Sequence, residues 1–228
     1  MSTAISVVVM AFNEAGSLEP AIREIETVLR ELGRPYEILV VDDGSPDDTG
    51  KIADRLAQKS DNIRVIHHEA NKGLGGVYRT GFQNARGKLI TFFPADMQFP
   101  ADIIKQFVPL MDNADMVLGY IPDRKSSLLA KSLSACERVL YSILFGPLPR
   151  FQGILMFRRT LLDGLKLKSS GRSWTILMEL IVRTRKTGHR IVSVPTGFRP
   201  RAEGRSKVNN FATIWVNLTQ VLALRRDF

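Results

Sequence analysis

The chain has 228 residues, 44% hydrophobic and 24% charged, without repeats or low-complexity tracts, so it can bury a sizeable core as one large α/β domain or as one domain with an appendage. It has no run of about 18 or more apolar residues, which excludes an ordinary membrane-spanning helix, and its N-terminus lacks the basic-then-apolar pattern of a signal peptide. The net charge of +9 is uneven: residues 1–149 hold 16 Lys and Arg against 19 Asp and Glu, and residues 150–228 hold 16 against 4. A basic half of this kind attracts phosphates, nucleic acid or anionic lipid. Nucleic acid is not expected, because no reading motif and no interleaved aromatic-basic pattern is present. The single cysteine, Cys136, excludes an internal disulfide, fits a reducing compartment and reads as a small core residue.

The first 120 residues alternate strand and helix. Residues 5–9 are a β-branched run, and residues 15–32 carry Leu18, Ile22, Ile25 and Leu29 at helical spacing. A second strand over 37–41 breaks at Asp42-Asp43-Gly44-Ser45-Pro46, and a helix follows with Ile52, Leu56 and Ala57 as its apolar positions. A strand over 63–66, a helix over 73–85, a strand over 89–93, a helix over 101–111 and a strand over 116–118 complete the series. Such alternation implies a parallel, right-handed, doubly wound sheet with helices on both faces. Beyond Tyr120 the rhythm changes. An amphipathic helix is expected over 126–145, ended by Gly146-Pro147, then a strand over 153–157, a helix over 175–185, a strand over 190–194 and a closing amphipathic helix over 210–226.

Four acidic or glycine-rich signals directly follow successive strands: Asn13-Glu14, Asp42-Asp43-Gly44-Ser45, Asn71-Lys72-Gly73-Leu74-Gly75-Gly76, and Asp96 with Gln98. In a parallel sheet all of them fall on the carboxyl edge, where open α/β sheets bind ligands. Taken singly each has a plainer reading. The aspartate runs could be turns or helix N-caps, and the glycines could be a flexible helix entry rather than a phosphate cradle. Asp96 and Gln98 offer hard oxygen donors suited to Mg2+ or Mn2+ carried in by substrate phosphates. Their joint placement favours a nucleotide site. Glu179 reads first as a structural helix residue, and His67 and His68 as bystanders, because no ligand partners stand at metal spacing.

The ordered set Ala11-Phe12-Asn13-Glu14, Val40-Val41-Asp42-Asp43-Gly44-Ser45 with Asp48-Thr49, Asn71-Lys72-Gly73 and Ala95-Asp96-x-Gln98 resembles glycosyltransferase family 2, and within it the dolichyl- or polyprenyl-phosphate sugar transferases. Val194-Pro195 followed by Phe198, Arg199, Arg201, Gly204, Ser206 and Lys207 is similar to that subgroup's late signature, so the resemblance covers about residues 4–210. It implies a Rossmann-like fold of GT-A type in a single domain over residues 1–208. Residues 1–120 would be the nucleotide-sugar half and 121–208 the acceptor half, with residues 209–228 as a C-terminal amphipathic helix. It also implies an inverting transfer of sugar from a GDP- or UDP-sugar to a polyprenyl-phosphate-type acceptor, at the cytoplasmic face of a membrane, by a peripheral protein acting as a monomer or a homo-oligomer.

The resemblance further assigns roles residue by residue. Ala11, Phe12, Glu14, Val40 and Asp42 would line the base and ribose pocket with Asp43 beside them, and Lys72, Gly73 and Ala95 would belong to the donor site. Asp96 and Gln98 would hold the Mg2+ or Mn2+, and Arg201 and Lys207 would grip phosphate. A phosphate acceptor is already anionic and needs no carboxylate base, which suits the acceptor half: from residue 138 on, Asp163, Glu179, Glu203 and Asp227 are its carboxylates, with no paired acidic motif. Transfer to a glycan or small-molecule hydroxyl, or a degenerate nucleotide-sugar-binding module, are the alternatives. Two departures stand out. Met10 replaces the family's usual proline, and Pro94 replaces the first aspartate of the Asp-x-Asp triplet and cannot ligate anything.

Overall fold

The structure is a computed structural model that describes residues 3–122, 142–169 and 171–200. Seven strands form one sheet: β1 (Ile5–Ala11), β2 (Tyr36–Asp42), β3 (Ile63–His67), β4 (Leu89–Pro94), β5 (Met116–Tyr120), β6 (Leu155–Arg158) and β7 (Ile191–Pro195), in the order β3-β2-β1-β4-β6-β5-β7. The helices are α1 (Leu18–Glu31), α2 (Thr49–Lys59), α3 (Gly73–Asn84), α4 (Ile103–Leu110), α5 (Thr160–Gly164) and α6 (Thr175–Lys186). Of the helix expected over 126–145, residues 142–145 are described and are helical. The remainder of that helix, Cys136, Arg201, Lys207 and the helix over 210–226 lie outside the described residues.

Side chains alternate along each strand, and the alternation divides the core in two. Val7, Val9, Ile38, Val40 and Phe93 pack under α1, α2 and α4, whereas Val8, Leu39, Val41, Phe92 and Phe157 pack under α3 and α6. Covering both faces explains why these strands are near-continuous apolar runs. Each fully buried Val, Leu, Ile or Phe contributes about 1.5–3 kcal/mol. Helix α1 presents Leu18, Ile22, Ile25 and Leu29 on one buried stripe, as its spacing requires.

Strands β1 to β4 pair in parallel, and β1 is flanked by β2 and β4. The chain therefore winds outward through β2 and β3 on one side and starts again at β4 on the other, which puts a topological switch point between β1 and β4. Strand β6 departs from the parallel pattern. It lies between β4 and β5, antiparallel to both. A four-residue apolar strand reads the same in either direction, so its sequence carries no sign of its polarity.

Candidate functional site

Three strand ends meet at the switch point. Ala11 lies opposite Asp42, and Met10 lies opposite Pro94. Just beyond, the Asp43 N–H donates to the Ala11 carbonyl at 2.9 Å, and the Ala95 N–H donates to the Met10 carbonyl at 3.0 Å. Residues 12–14, 42–45 and 95–98 thus leave the sheet side by side at one level. The first two loops are stitched together: Ser45 Oγ accepts the Asn13 N–H at 3.0 Å, Thr49 Oγ1 accepts the Glu14 N–H at 2.9 Å, and Asp47 Oδ2 accepts the Ala15 N–H at 3.3 Å. The Glu14 carboxylate receives the Ser17 hydroxyl at 2.8 Å. Asn13 stands at φ 55, in the left-handed region that asparagine tolerates better than most side chains. Ser45, Asp47 and Thr49 therefore set the shape of the Phe12–Glu14 loop.

Asp42 and Asp43 diverge because successive strand residues point to opposite faces. Asp42 turns toward α2. Its Oδ1 accepts the Ser45 N–H at 3.1 Å, and its Oδ2 lies 3.0 Å from His67 Nδ1, on the residue directly across the β2–β3 ladder. His67 Nε2 lies 3.0 Å from Asp54 Oδ1, so both ring nitrogens face carboxylates, which accept only, and the ring is held as an imidazolium. The hydrogen bonds to Asp42 and Asp54 raise the His67 pKa above its ordinary value, outweighing the opposing effect of burial. Helix α2 carries Gly50 here because a Cβ would stand 2.9 Å from Asp42 Oδ2. Asp43 turns toward α3, where His68 Nδ1 is 2.6 Å from its Oδ1 and His68 Nε2 is 2.7 Å from Thr80 Oγ1. The two histidines are therefore not bystanders: each orients one of the paired aspartates.

The glycine-rich segment has a different use from the phosphate cradle its composition suggested. Asp43 Oδ1 accepts the Lys72 N–H at 2.8 Å, and its Oδ2 accepts the Gly73 N–H at 2.9 Å. The Gly75 N–H donates to the Arg172 carbonyl at 2.9 Å. The first amides of α3 are thus occupied by a buried carboxylate and by the loop before α6. Gly73 has φ 71, and a Cβ on Gly75 would stand 2.1 Å from the Gly171 carbonyl oxygen, so these glycines serve close packing. Gly73 consequently offers no amide to a ligand in this conformation, and what the segment offers is the Lys72 side chain. Arg172, which the sequence did not single out, is brought to the same edge by a 2.6 Å hydrogen bond from its Nη2 to Asn71 Oδ1.

Val40 is sealed in the core beneath Asp42 with no exposed surface, and Ala11 and Ala95 are buried at their strand ends. Val40 offers no surface to a ligand, because it lies two residues short of the strand end on the covered face. Glu179 is wholly buried on α6. Its Oε1 and Oε2 accept the Lys168 N–H at 3.0 Å, Oε2 accepts the Ser169 N–H at 2.8 Å, and Oε1 accepts Arg183 Nε at 2.7 Å. It ties down the loop whose carbonyls meet Gly73 and Gly75, which is the structural role its helical position suggested.

Asp96 and Gln98 flank Met97, and Asp96 Oδ1 accepts the Gln98 N–H at 3.1 Å. A carboxylate has lone pairs to spare after one such bond, so Asp96 keeps its capacity for a cation. Among the described residues no group of three or more His, Cys, Asp or Glu could hold a metal on its own. Two oxygen donors do not suit a resident structural ion, but they do suit Mg2+ or Mn2+ held jointly with a substrate's phosphates. Pro94 closes β4 and contributes no ligand.

This architecture is the GT-A type of α/β fold. It is similar to the structure of glucosyl-3-phosphoglycerate synthase from Mycobacterium tuberculosis in complex with Mn2+, UDP and phosphoglyceric acid, with a TM-score of 0.68, 23% identity, and coverage of 96% of this chain and 78% of that one. The family described as Glycosyl transferase family 2 matches residues 6–164, and the chain belongs to that family. Its relatives include the dolichol-phosphate mannosyltransferase of Pyrococcus furiosus, 29% identical over 97% of this chain, and the undecaprenyl-phosphate 4-deoxy-4-formamido-L-arabinose transferase of Klebsiella pneumoniae, 30% identical over 89%. The chain spans 64% and 62% of the lengths of these two relatives.

Proposed function

We propose that this chain is an inverting glycosyltransferase that moves a sugar from a nucleotide-sugar to a polyprenyl-phosphate-type acceptor. The observation that supports this reading is the convergence of the β1, β2 and β4 ends at the switch point, from which the loops that carry Glu14, Asp42 and Asp96 leave the sheet side by side. Ala11, Phe12, Glu14 and Asp42 form the base and ribose side. Asp42, its carboxylate fixed by Ser45 and His67, would shape the ribose end of that side from within. Asp43 and Val40 support that wall, and Lys72 and Ala95 border it. On the diphosphate side Asp96 and Gln98 would hold Mg2+ or Mn2+. When bound, the ion neutralises charge building on the departing nucleoside diphosphate. Arg201 and Lys207 complete the phosphate contacts in this reading.

The acceptor class is supported by what Glu179 is doing. Glu179, one of the carboxylates in the acceptor half, is buried and committed to two amides and Arg183, so it does not serve as a base. A phosphate oxygen attacks without losing a proton, so it requires no such base. Two relatives are named for transfer to dolichol phosphate and undecaprenyl phosphate. In this reading the protein works at the cytoplasmic face of a membrane. No helix among the described residues is long and apolar enough to cross one.

The test is transfer from a panel of GDP- and UDP-sugars to polyprenyl phosphate, with free sugars as the competing acceptor class. Asp96→Ala is expected to lower divalent-metal-dependent turnover by about 100-fold or more, as for loss of a group that stabilises the leaving charge. Undiminished activity in Asp96→Ala without divalent metal overturns the mechanism. A preference for free sugars overturns the acceptor. Donor binding with no turnover on any acceptor assigns the chain instead to a degenerate binding role, the reading that Pro94 favours.

A further inference from the structure

Met97, between the two metal-side residues, has φ 58. A side chain larger than asparagine rarely adopts this conformation, and it persists only where its surroundings impose it. The restraint comes from distant parts of the chain. The Arg199 N–H donates to the Gln98 carbonyl at 2.7 Å, and Arg199 Nη1 donates to Glu24 Oε2 at 2.8 Å. The other oxygen of Glu24 accepts the Ala101 N–H at 2.9 Å. Phe198 packs edge-on against Phe99, with ring centroids 5.3 Å apart and planes at 71°. The segment leaving β7 is thus bolted both to the loop that carries Gln98 and to α1.

We propose that Phe198, Arg199 and Glu24 are positioning residues that hold the Asp96-Met97-Gln98 corner in its ligand-ready form. The inference rests on the reading of Asp96 and Gln98 as the metal-diphosphate corner. Each tie is modest on its own, since the Arg199–Glu24 pair is solvent-accessible on both sides. Together they oppose the tendency of Met97 to relax to negative φ. Without them the competent form falls to roughly one molecule in ten, and apparent affinity falls by that fraction. The base and ribose side does not depend on this corner and keeps its affinity.

The experiment is calorimetric binding of UDP and GDP, each with Mn2+ and with EDTA, to the full chain and its variants. Phe198 and Arg199 are 38% and 44% exposed, so Phe198→Ala/Arg199→Pro leaves the core intact, which far-UV spectra and a melting curve verify, and the proline also removes the N–H that holds the Gln98 carbonyl. It is expected to weaken Mn2+-dependent nucleotide binding about tenfold while leaving binding in EDTA unchanged. Glu24→Gln, which keeps an acceptor for Ala101, shifts affinity in the same direction by a smaller factor. Glycine adopts positive φ without penalty, so in a Met97→Gly background the same double substitution costs less than about threefold.

Three results overturn the proposal. One is equal Mn2+-dependent affinity in wild type and the double variant. Another is equal loss with and without metal. The third is a tenfold loss that persists in the Met97→Gly background. Wild-type protein that binds nucleotide but ignores Mn2+ overturns the metal corner itself, and with it this role, which separates failure of the site reading from failure of the clamp.

Discussion

His67 joins a fold element to a site residue, and its removal is the most informative perturbation of the nucleotide side. Asp42 keeps two partners, the Ser45 N–H at 3.1 Å and His67 at 3.0 Å. His67→Ala leaves the carboxylate, only 6% exposed, with the single amide. A hydrogen bond to a charged group contributes about 1.5–3 kcal/mol. The His67 ring is 43% exposed, so solvent screening places this one at the low end, and the pair with the exposed Asp54 adds little. A loss of about 1.5 kcal/mol follows, or a fall in Tm of roughly 4 °C for a domain of this size. The pH dependence follows from the raised folded-state pKa of His67. The stabilisation is fully present below the unfolded value of about 6.5 and is lost as pH rises through the higher folded value. Chemical denaturation of both proteins between about pH 6 and pH 9 is the assay, with the His67 ring followed by NMR titration. The gap between wild type and variant should be widest at the acid end and close toward the alkaline end. A His67 pKa at or below the ordinary histidine value, or a gap that does not narrow, refutes the imidazolium bridge.

Asp43→Ala removes the acceptor for the Lys72 and Gly73 amides and for His68, and it should destabilise the protein by about 3 kcal/mol or more, read as a shift in denaturation midpoint at constant slope. Glu179→Ala leaves Arg183 and two loop amides without their buried partner; a loss of about 3–5 kcal/mol is expected, with faster amide exchange at residues 168–169 as the local signature. Pro94→Asp restores an oxygen ligand beside Asp96 at the end of β4. Calorimetry should show Mn2+-dependent UDP or GDP binding tightened by about tenfold, and unchanged affinity would mean that Asp96 and Gln98 suffice.

Local pattern was enough for the α/β class, the strands, helices α1 to α4 and α6, and the loops that meet at the carboxyl edge, but not for the short helix α5. The reason is local. Apolar runs of strand length, helical spacing in α1 and breakers such as Asp42-Asp43-Gly44 act within a few residues of one another, and strand-helix alternation then forces successive loops to one edge. The loops over Phe12–Glu14, Asp42–Ser45 and Asp96–Gln98 are therefore legible in the chain itself. Relations between residues distant in the chain had to wait for the assembled fold. Asp42 finds His67 across a parallel ladder 25 residues on, and Arg199 reaches Glu24 across 175. His67-His68 and Asp42-Asp43 could have been matched as ends of neighbouring strands, but only once β2 and β3 were known to pair in that register. The antiparallel course of β6, the packing use of Gly73 and Gly75 and the restraint on Met97 left no mark in local composition. Each arises where two segments remote in the chain compete for the same space or the same hydrogen bond, and that is settled only when the sheet is assembled.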